Sequence, residues 1–231
     1  MEVLYEDNHI IAINKKPSDI VQADKTGDEP LSEKVKKYIK EKYNKPGDVF
    51  LGTVHRIDRP VSGVILFART SKAMERLNEM FKKREIQKTY WAVVKNRPPK
   101  DSDTLKHYLI KNEKQNKSYA SGIPKQGHLE CTLKYELIDK SDEYFLLKVT
   151  PYTGRHHQIR VQLSSMNCII KGDLKYGFAR SNKDASIHLH AREIEFMHPV
   201  KDEKVHIVAP VPNEPLWQFF EKNQNGITTN S

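Results

Sequence analysis

Cysteine is nearly absent: Cys131 and Cys168 are the only two, far apart and in no CxxC spacing. That excludes a disulfide framework and a cysteine-rich zinc site, and a reduced, cytoplasmic protein is the economical reading. No apolar run approaches the ~18 residues needed to cross a bilayer. The acidic opening Met1-Glu2-Val3-Leu4-Tyr5-Glu6-Asp7 is too short in apolar run for a signal peptide. Missing too are GxxxxGK[ST], GxGxxG and GxSxG, so no nucleotide loop and no hydrolase elbow is indicated. Histidines gather at His156, His157, His188 and His190, but no Cys or carboxylate stands at ligand spacing, so no metal site is expected. There is no internal repeat and no linker rich enough to mark a domain boundary.

What is abundant is positive charge: Lys plus Arg is 39 against 30 Asp plus Glu, a formal charge of +9. A basic excess favours a polyanionic partner, nucleic acid or an anionic surface. The charge is spread along the chain, so it does not choose between them.

Apolar patterning gives a mixed α/β chain dominated by strands. Val3–Tyr5 and His9–Asn14 read as strands joined at the turn pair Asp7-Asn8. Leu31, Val35, Tyr38 and Ile39 recur at helical spacing, with Asp28 and Pro30 as a start signal. A second helix, capped by Thr70 or Ser71, buries Ala73, Leu77, Met80 and Phe81. Strands follow at Gln87–Lys95 and in a hairpin of Leu129–Ile138 with Tyr144–Val149; Lys111–Lys117 reads as a loop. A third helix is expected over Arg155–Met166, late strands at Ile187–Phe196 and Val205–Val208, and a closing helix over Pro215–Lys222. Residues 1–222 are then one domain and 223–231 a polar tail.

The chain is organised around Gly52–Thr70. Val64-Ile65-Leu66-Phe67-Ala68 has the pattern of a strand buried on both faces. Before it, Arg56, Asp58 and Arg59 form a charged cluster that Pro60 keeps out of helical geometry. Flanking arginines favour a charged Asp58, which suits a nucleophile or base; a structural ion pair would look the same. Tyr90, in Lys88-Thr89-Tyr90, is a functional aromatic or a rim packing residue. Thr153-Gly154-Arg155-His156-His157-Gln158-Ile159-Arg160 sets polar side chains of nucleic-acid-contacting type near a helix start, or is a solvated basic face. Arg160 could turn inward to meet a buried carboxylate.

Taken together these segments resemble the RluA family of RNA pseudouridine synthases. His55-Arg56-Ile57-Asp58-Arg59-Pro60-Val61-Ser62-Gly63 is similar to its H-R-L-D-x-x-T-S-G signature, Thr153–Val161 to T-G-R-x-H-Q-I-R-V, and Lys88-Thr89-Tyr90 to K-x-Y. Supporting matches are Asn14-Lys15-Lys16-Pro17 (N-K-P), Gly172–Gly177 (G-D-x-x-Y-G), Leu189-His190-Ala191 (L-H-A) and Phe196–Pro199 (F-x-H-P), all in the family's order.

The resemblance implies a curved, mixed, largely antiparallel α+β sheet with flanking helices and an RNA cleft across the middle. It implies that Asp58 is the catalytic carboxylate, that Tyr90 stacks on the flipped uracil and takes its C5 proton, and that Arg160 pairs with Asp58. Arg56 would fill the stack left by the flipped nucleotide. His55 and Arg59 beside it, Arg155, His157, Gln158 and Ile159 in the third segment, and Leu189 would contact RNA or base. No metal, nucleotide or other cofactor is implied, and the expected partner is a structured ribosomal or transfer RNA bound by a monomer. Val61 stands where the family usually has Thr, Gln162 where His is common, and the glycine often found after N-K-P is missing. The chain begins at the first catalytic strand, without the S4-like module that many relatives carry, so substrate selection falls to the catalytic domain or to a partner. Two other readings compete. One is a catalytically silent RNA-binding protein of the same fold, against which the intact trio argues. The other is a carboxylate glycosidase, which needs a second acid that the sequence does not nominate.

Overall fold

A computed structural model describes residues 1–23 and 27–228. They form two compact units, the first built from residues 1–87 and 191–210, the second from 88–190 and 211 onward.

In the first unit, β1 (Glu2–Glu6) and β2 (Ile10–Lys15) form the expected hairpin, and β2 pairs antiparallel with β4 (Ser62–Ala68) in the register Ile13↔Ile65. The two-residue β3 (Gly52–Thr53) lies on the far half of β4. Every residue of β4 is buried, as its unbroken apolar run requires. Helix α1 (Leu31–Lys42) lays Leu31, Val35 and Ile39 on Ile11, Ile13, Ile65 and Phe67. Its start is not capped by Asp28. Leu31 and Ser32 donate their N–H groups to the carbonyls of Ile20 and Val21, and the Asp28 carboxylate is taken by Arg59 at 2.7 Å. Helix α2 (Ser71–Lys83) is capped by Thr70, whose Oγ1 accepts from the Ala73 N–H at 3.2 Å.

The second unit is a meander in the order β5 (Gln87–Val94), β9 (Phe145–Pro151), β8 (Leu129–Lys140), β6 (Ser102–Asn112), β7 (Lys117–Ser121). The turn of the β6–β7 hairpin, residues 113–116, falls inside the loop expected over Lys111–Lys117, whereas the two strands that it joins have no apolar pattern that marked them beforehand. Helix α3 (Gln158–Ser165) starts three residues later than its pattern suggested. Helix α4 runs from Pro215 to Thr228, past the Lys222 at which apolar spacing stops, so 223–228 are helical and 229–231 lie outside the described residues. It buries Trp217 and Phe220 against Trp91, Val93 and Leu146. In the first unit β10 (Leu189–Met197), from Ala191 onward, runs beside β4 and pairs with β11 (Lys204–Val208). The pairings described by register are antiparallel, and the fold has the expected α+β class, mixed and largely antiparallel.

Candidate active site

Between β3 and β4 the backbone from Val54 to Asp58 makes no regular structure, so what aims Asp58 is whatever grips that segment at its ends. At the near end His55 is the grip. Its Nε2 accepts the Leu66 N–H at 2.9 Å, and its ring stacks on Phe81 with centroids 4.9 Å apart. A ring nitrogen that accepts a backbone N–H belongs to neutral imidazole, so His55 anchors rather than carries charge. At the far end Asp58 opens a turn, its carbonyl accepting the Val61 N–H at 3.0 Å. Asp58 itself is half-buried, whereas Arg56 and Arg59 are exposed. Of the two arginines expected around Asp58, Arg59 donates to Asp28 Oδ2 at 2.7 Å.

Gly63 closes the motif with φ +113°, and a Cβ there would stand 2.2 Å from the carbonyl oxygen of Ala191. Only glycine permits that approach. It accounts physically for the two matches Ser62-Gly63 and Leu189-His190-Ala191 appearing together.

In the second unit Tyr90 lies on β5 opposite Val149, half-buried, on the face away from Trp91. The neighbouring Lys88 lies so that its Nζ would be 3.7 Å from a Cβ on Gly154, and burial lowers its pKa.

The Thr153–Arg160 segment is a braced loop before it is a helix. Gln158 is its hub. Its Oε1 accepts from Thr153 Oγ1 at 2.8 Å and from the Arg155 N–H at 3.0 Å, and its Nε2 donates to the Thr132 carbonyl. His157 caps α3 in the left-handed region, φ 53°. Its Nδ1 lies 3.0 Å from the Tyr176 hydroxyl, which also accepts the Ser118 N–H at 3.0 Å. Burial, then the Arg160 charge, pushes the His157 pKa down to about 2, so the ring is neutral. Helix start and backbone direction are therefore set by side chains that point inward, which an amphipathic count cannot register.

Arg160 turns inward, as expected. Its Nε and Nη2 donate to Asp173 Oδ2 and Oδ1 at 2.7 and 2.9 Å, and the guanidinium lies 5.2 Å from the Tyr176 ring centroid. Asp173 and Tyr176 belong to the Gly172–Gly177 segment, and neither was singled out as a functional residue by composition or spacing. The signal was the arginine itself: a cation 95 % buried needs an anion. Ile159 and Leu189 are buried, and Arg155 is exposed beside the Glu130 carbonyl. Of the three departures from the family pattern, two are internal. Val61 is buried, and Gln162 donates to the Leu105 carbonyl and faces His107 Nδ1, each at 3.1 Å.

The clustered histidines have partners of other kinds. His156 and His157 stack on one another, and His188 stacks on Trp217 while facing Glu214 at 3.1 Å. Among the described residues no three His, Cys, Asp or Glu side chains gather as a metal set, and no helix is long and apolar enough to cross a membrane. Burial pushes both cysteine thiols up to about 11.

Comparison with known proteins finds a family that this chain resembles in sequence and in fold. A profile described as RNA pseudouridylate synthase covers residues 9–165. The ribosomal large subunit pseudouridine synthase C of Buchnera aphidicola (subsp. Schizaphis graminum) is 34% identical over 217 residues, 90% of this chain and 67% of that protein. The protein of the same name from Vibrio cholerae is 30% identical, over 90% of this chain and 65% of its own. The tRNA pseudouridine synthase C of Pectobacterium carotovorum is 28% identical, over 90% and 58%. Among solved structures, human RNA pseudouridylate synthase domain containing 4 superposes with a TM-score of 0.79 at 21% identity, covering 95% of this chain and 92% of that one. The chain spans about two thirds of the length of its ribosomal relatives, 65 to 67%.

Proposed function

This chain belongs to the RNA pseudouridylate synthase family, and from that premise we propose that it isomerises uridine in structured RNA, ribosomal or transfer, to pseudouridine. The observation that carries the reading is that the family match, residues 9–165, spans the segments that hold Asp58, Tyr90 and Arg160. The names of the relatives support both RNA classes.

In the proposed reaction the target nucleotide leaves the stack, as a base must if its atoms are to be reached. Asp58 acts as the catalytic carboxylate. The C1′–N1 bond breaks, the uracil turns, C1′ bonds to C5, the C5 proton leaves and N1 gains one. Product and substrate are isomers, so the atoms balance with no oxidant, reductant or group donor. Tyr90 stacks on the base and takes the C5 proton. Arg160 pairs with Asp58; a guanidinium has five N–H donors, so the bond to Asp173 is compatible with that role. Arg56, exposed next to the carboxylate, occupies the gap in the RNA stack. Arg59 and Arg155 meet phosphate, and Ile159 and Leu189 offer the base an apolar wall. His55, His157 and Gln158 contribute by holding the loops that reach the RNA. Both units act as one catalytic domain, as a monomer in the cytoplasm.

RNA bearing tritium at uridine C5 tests the reading. Wild-type protein releases tritium to water and Asp58→Asn does not. RNA bound tightly by both proteins with no release by either would favour a silent RNA-binding protein.

A further inference from the structure

Helix α3 is eight residues long, and Gln158, Arg160 and Gln162 are buried in it among the apolar positions. A buried polar side chain is costly unless its hydrogen bonds are made, so each of the three marks an anchor. Gln158 is tied to Thr132, and Arg160 to Asp173. Gln162, a position at which this chain departs from the family pattern, is fully buried and is tied to β6. It uses both amide hydrogens: Nε2 donates to the Leu105 carbonyl and to His107 Nδ1, each at 3.1 Å. The cost falls on the other end of the amide, since Gln162 Oε1 has no hydrogen-bond partner among the described residues. Turning the amide over would not relieve it, because two oxygens would then face each other at Leu105. The amide therefore has one orientation on β6.

His107 answers from the strand. With Nδ1 accepting, its ring is neutral and carries the hydrogen on Nε2, which lies 3.3 Å from Ser165 Oγ. Burial lowers the His107 pKa, which favours that neutral form. Ser165 Oγ in turn donates to the Gln162 carbonyl at 2.7 Å. Residues 162 and 165 are neighbours on the helix surface, so the His107 ring meets two side chains of the last turn of α3 at once.

We propose that Gln162 and His107 are a positioning pair for the reaction, fixing the end of α3 against β6 and with it the place of the Arg160 guanidinium two residues earlier. The proposal rests on the reading that Arg160 serves Asp58. A helix of about two turns has few backbone bonds of its own to stiffen it, so a lost side-chain anchor is felt along its whole length. The Asp173 fork sets the plane of the guanidinium. Gln162 sets the helix from which that guanidinium reaches, and does so at the expense of an unmet acceptor.

The experiment is single-turnover conversion at saturating RNA, with RNA affinity and thermal unfolding measured alongside and rates taken well below the unfolding temperature. Gln162→Leu keeps the bulk and removes both donors. It should convert RNA about tenfold or more slowly, as a misplaced reactive group does, with RNA affinity close to wild type. A rate within about threefold of wild type would overturn the proposal. The same change is then made in an Arg160→Lys background, where a residue that acts through Arg160 should add no more than about a twofold further loss. Losses that multiply would overturn it. If Gln162→Leu does not fold, two changes at His107 decide: His107→Leu removes the acceptor, whereas His107→Asn sets Oδ1 near the place of Nδ1. The asparagine variant should be at least about fivefold faster than the leucine variant, and equal rates would overturn the proposal. Arg160→Lys alone as fast as wild type removes the underlying reading, whereas a slow Arg160→Lys beside an unaffected Gln162→Leu removes this proposal alone.

Discussion

Arg160 and Asp173 meet fork to fork inside the second unit, Nε and Nη2 on the two carboxylate oxygens at 2.7 and 2.9 Å, with both side chains at least 95% buried. Two parallel charge-assisted bonds fix the plane of the guanidinium as well as its position. The Arg160 guanidinium lies over the Tyr176 ring, and the pair bridges α3 to the 3-10 turn at Leu174–Tyr176. Asp173→Ala should therefore cost about 3–5 kcal/mol, because it strands a buried charge. Urea unfolding measures this directly.

Gly63→Ala joins two penalties. The backbone is at φ +113°, and the new methyl would overlap the Ala191 carbonyl, which is main chain and has no rotamer to escape into. A loss of roughly 3 kcal/mol or more is expected, seen as a lowered denaturant midpoint or as failure to accumulate folded protein.

His157 gives stability an acid limit. Its folded pKa, about 2, is depressed below its ordinary 6.5 by burial and by Arg160. The stability tied to its neutral form is present above pH 6.5 and is lost as pH falls from there towards 2. The slope is at most ~1.4 kcal/mol per pH unit for one group. His157→Asn removes the titration and suits the left-handed backbone at this position. Its stability should fall less steeply between pH 6.5 and 4 than that of wild type, as urea titrations at several pH values would record.

Tyr176→Phe removes the hydroxyl that faces His157 Nδ1, accepts the Ser118 N–H and donates to the Ser118 carbonyl. Leaving a buried backbone donor unpaired costs about 1–3 kcal/mol. The loss should appear in equilibrium unfolding, with the overall secondary structure unchanged by circular dichroism.

An RNA partner for a chain of charge +9 predicts strong salt dependence. With three or more phosphates neutralised, affinity should fall by roughly tenfold or more between about 50 and 200 mM salt. Filter binding checks this, and insensitivity to salt would contradict a phosphate-bearing partner.

How much of this was legible in the sequence depended on whether local pattern or distant contact decided the structure. The β4 run read correctly because a strand buried on both faces has no polar position to hide it. Thr70 read correctly as a cap because the cap bond is local. The start of α3 did not, since the Gln158 amide bonds that hold 153–157 open involve Thr132 on another strand. Asp28 misled for the same reason: its carboxylate went to Arg59, and α1 took carbonyls from Ile20 and Val21. Asp58, Tyr90 and Arg160 are marked by the motifs they sit in. Asp173 and Tyr176, which hold Arg160 and His157, are marked only where the chain folds back on itself.

The central claim is that the Asp58 carboxylate turns uridine into pseudouridine. The direct measurement is the nucleoside content of digested RNA after incubation with wild type and with Asp58→Asn, both at saturating protein. Pseudouridine should accumulate stoichiometrically with its target site in the first reaction. In the second it should form on the order of 10³-fold more slowly or not at all, with RNA still bound. Pseudouridine formed at comparable rates by both proteins, or by neither, would contradict the account.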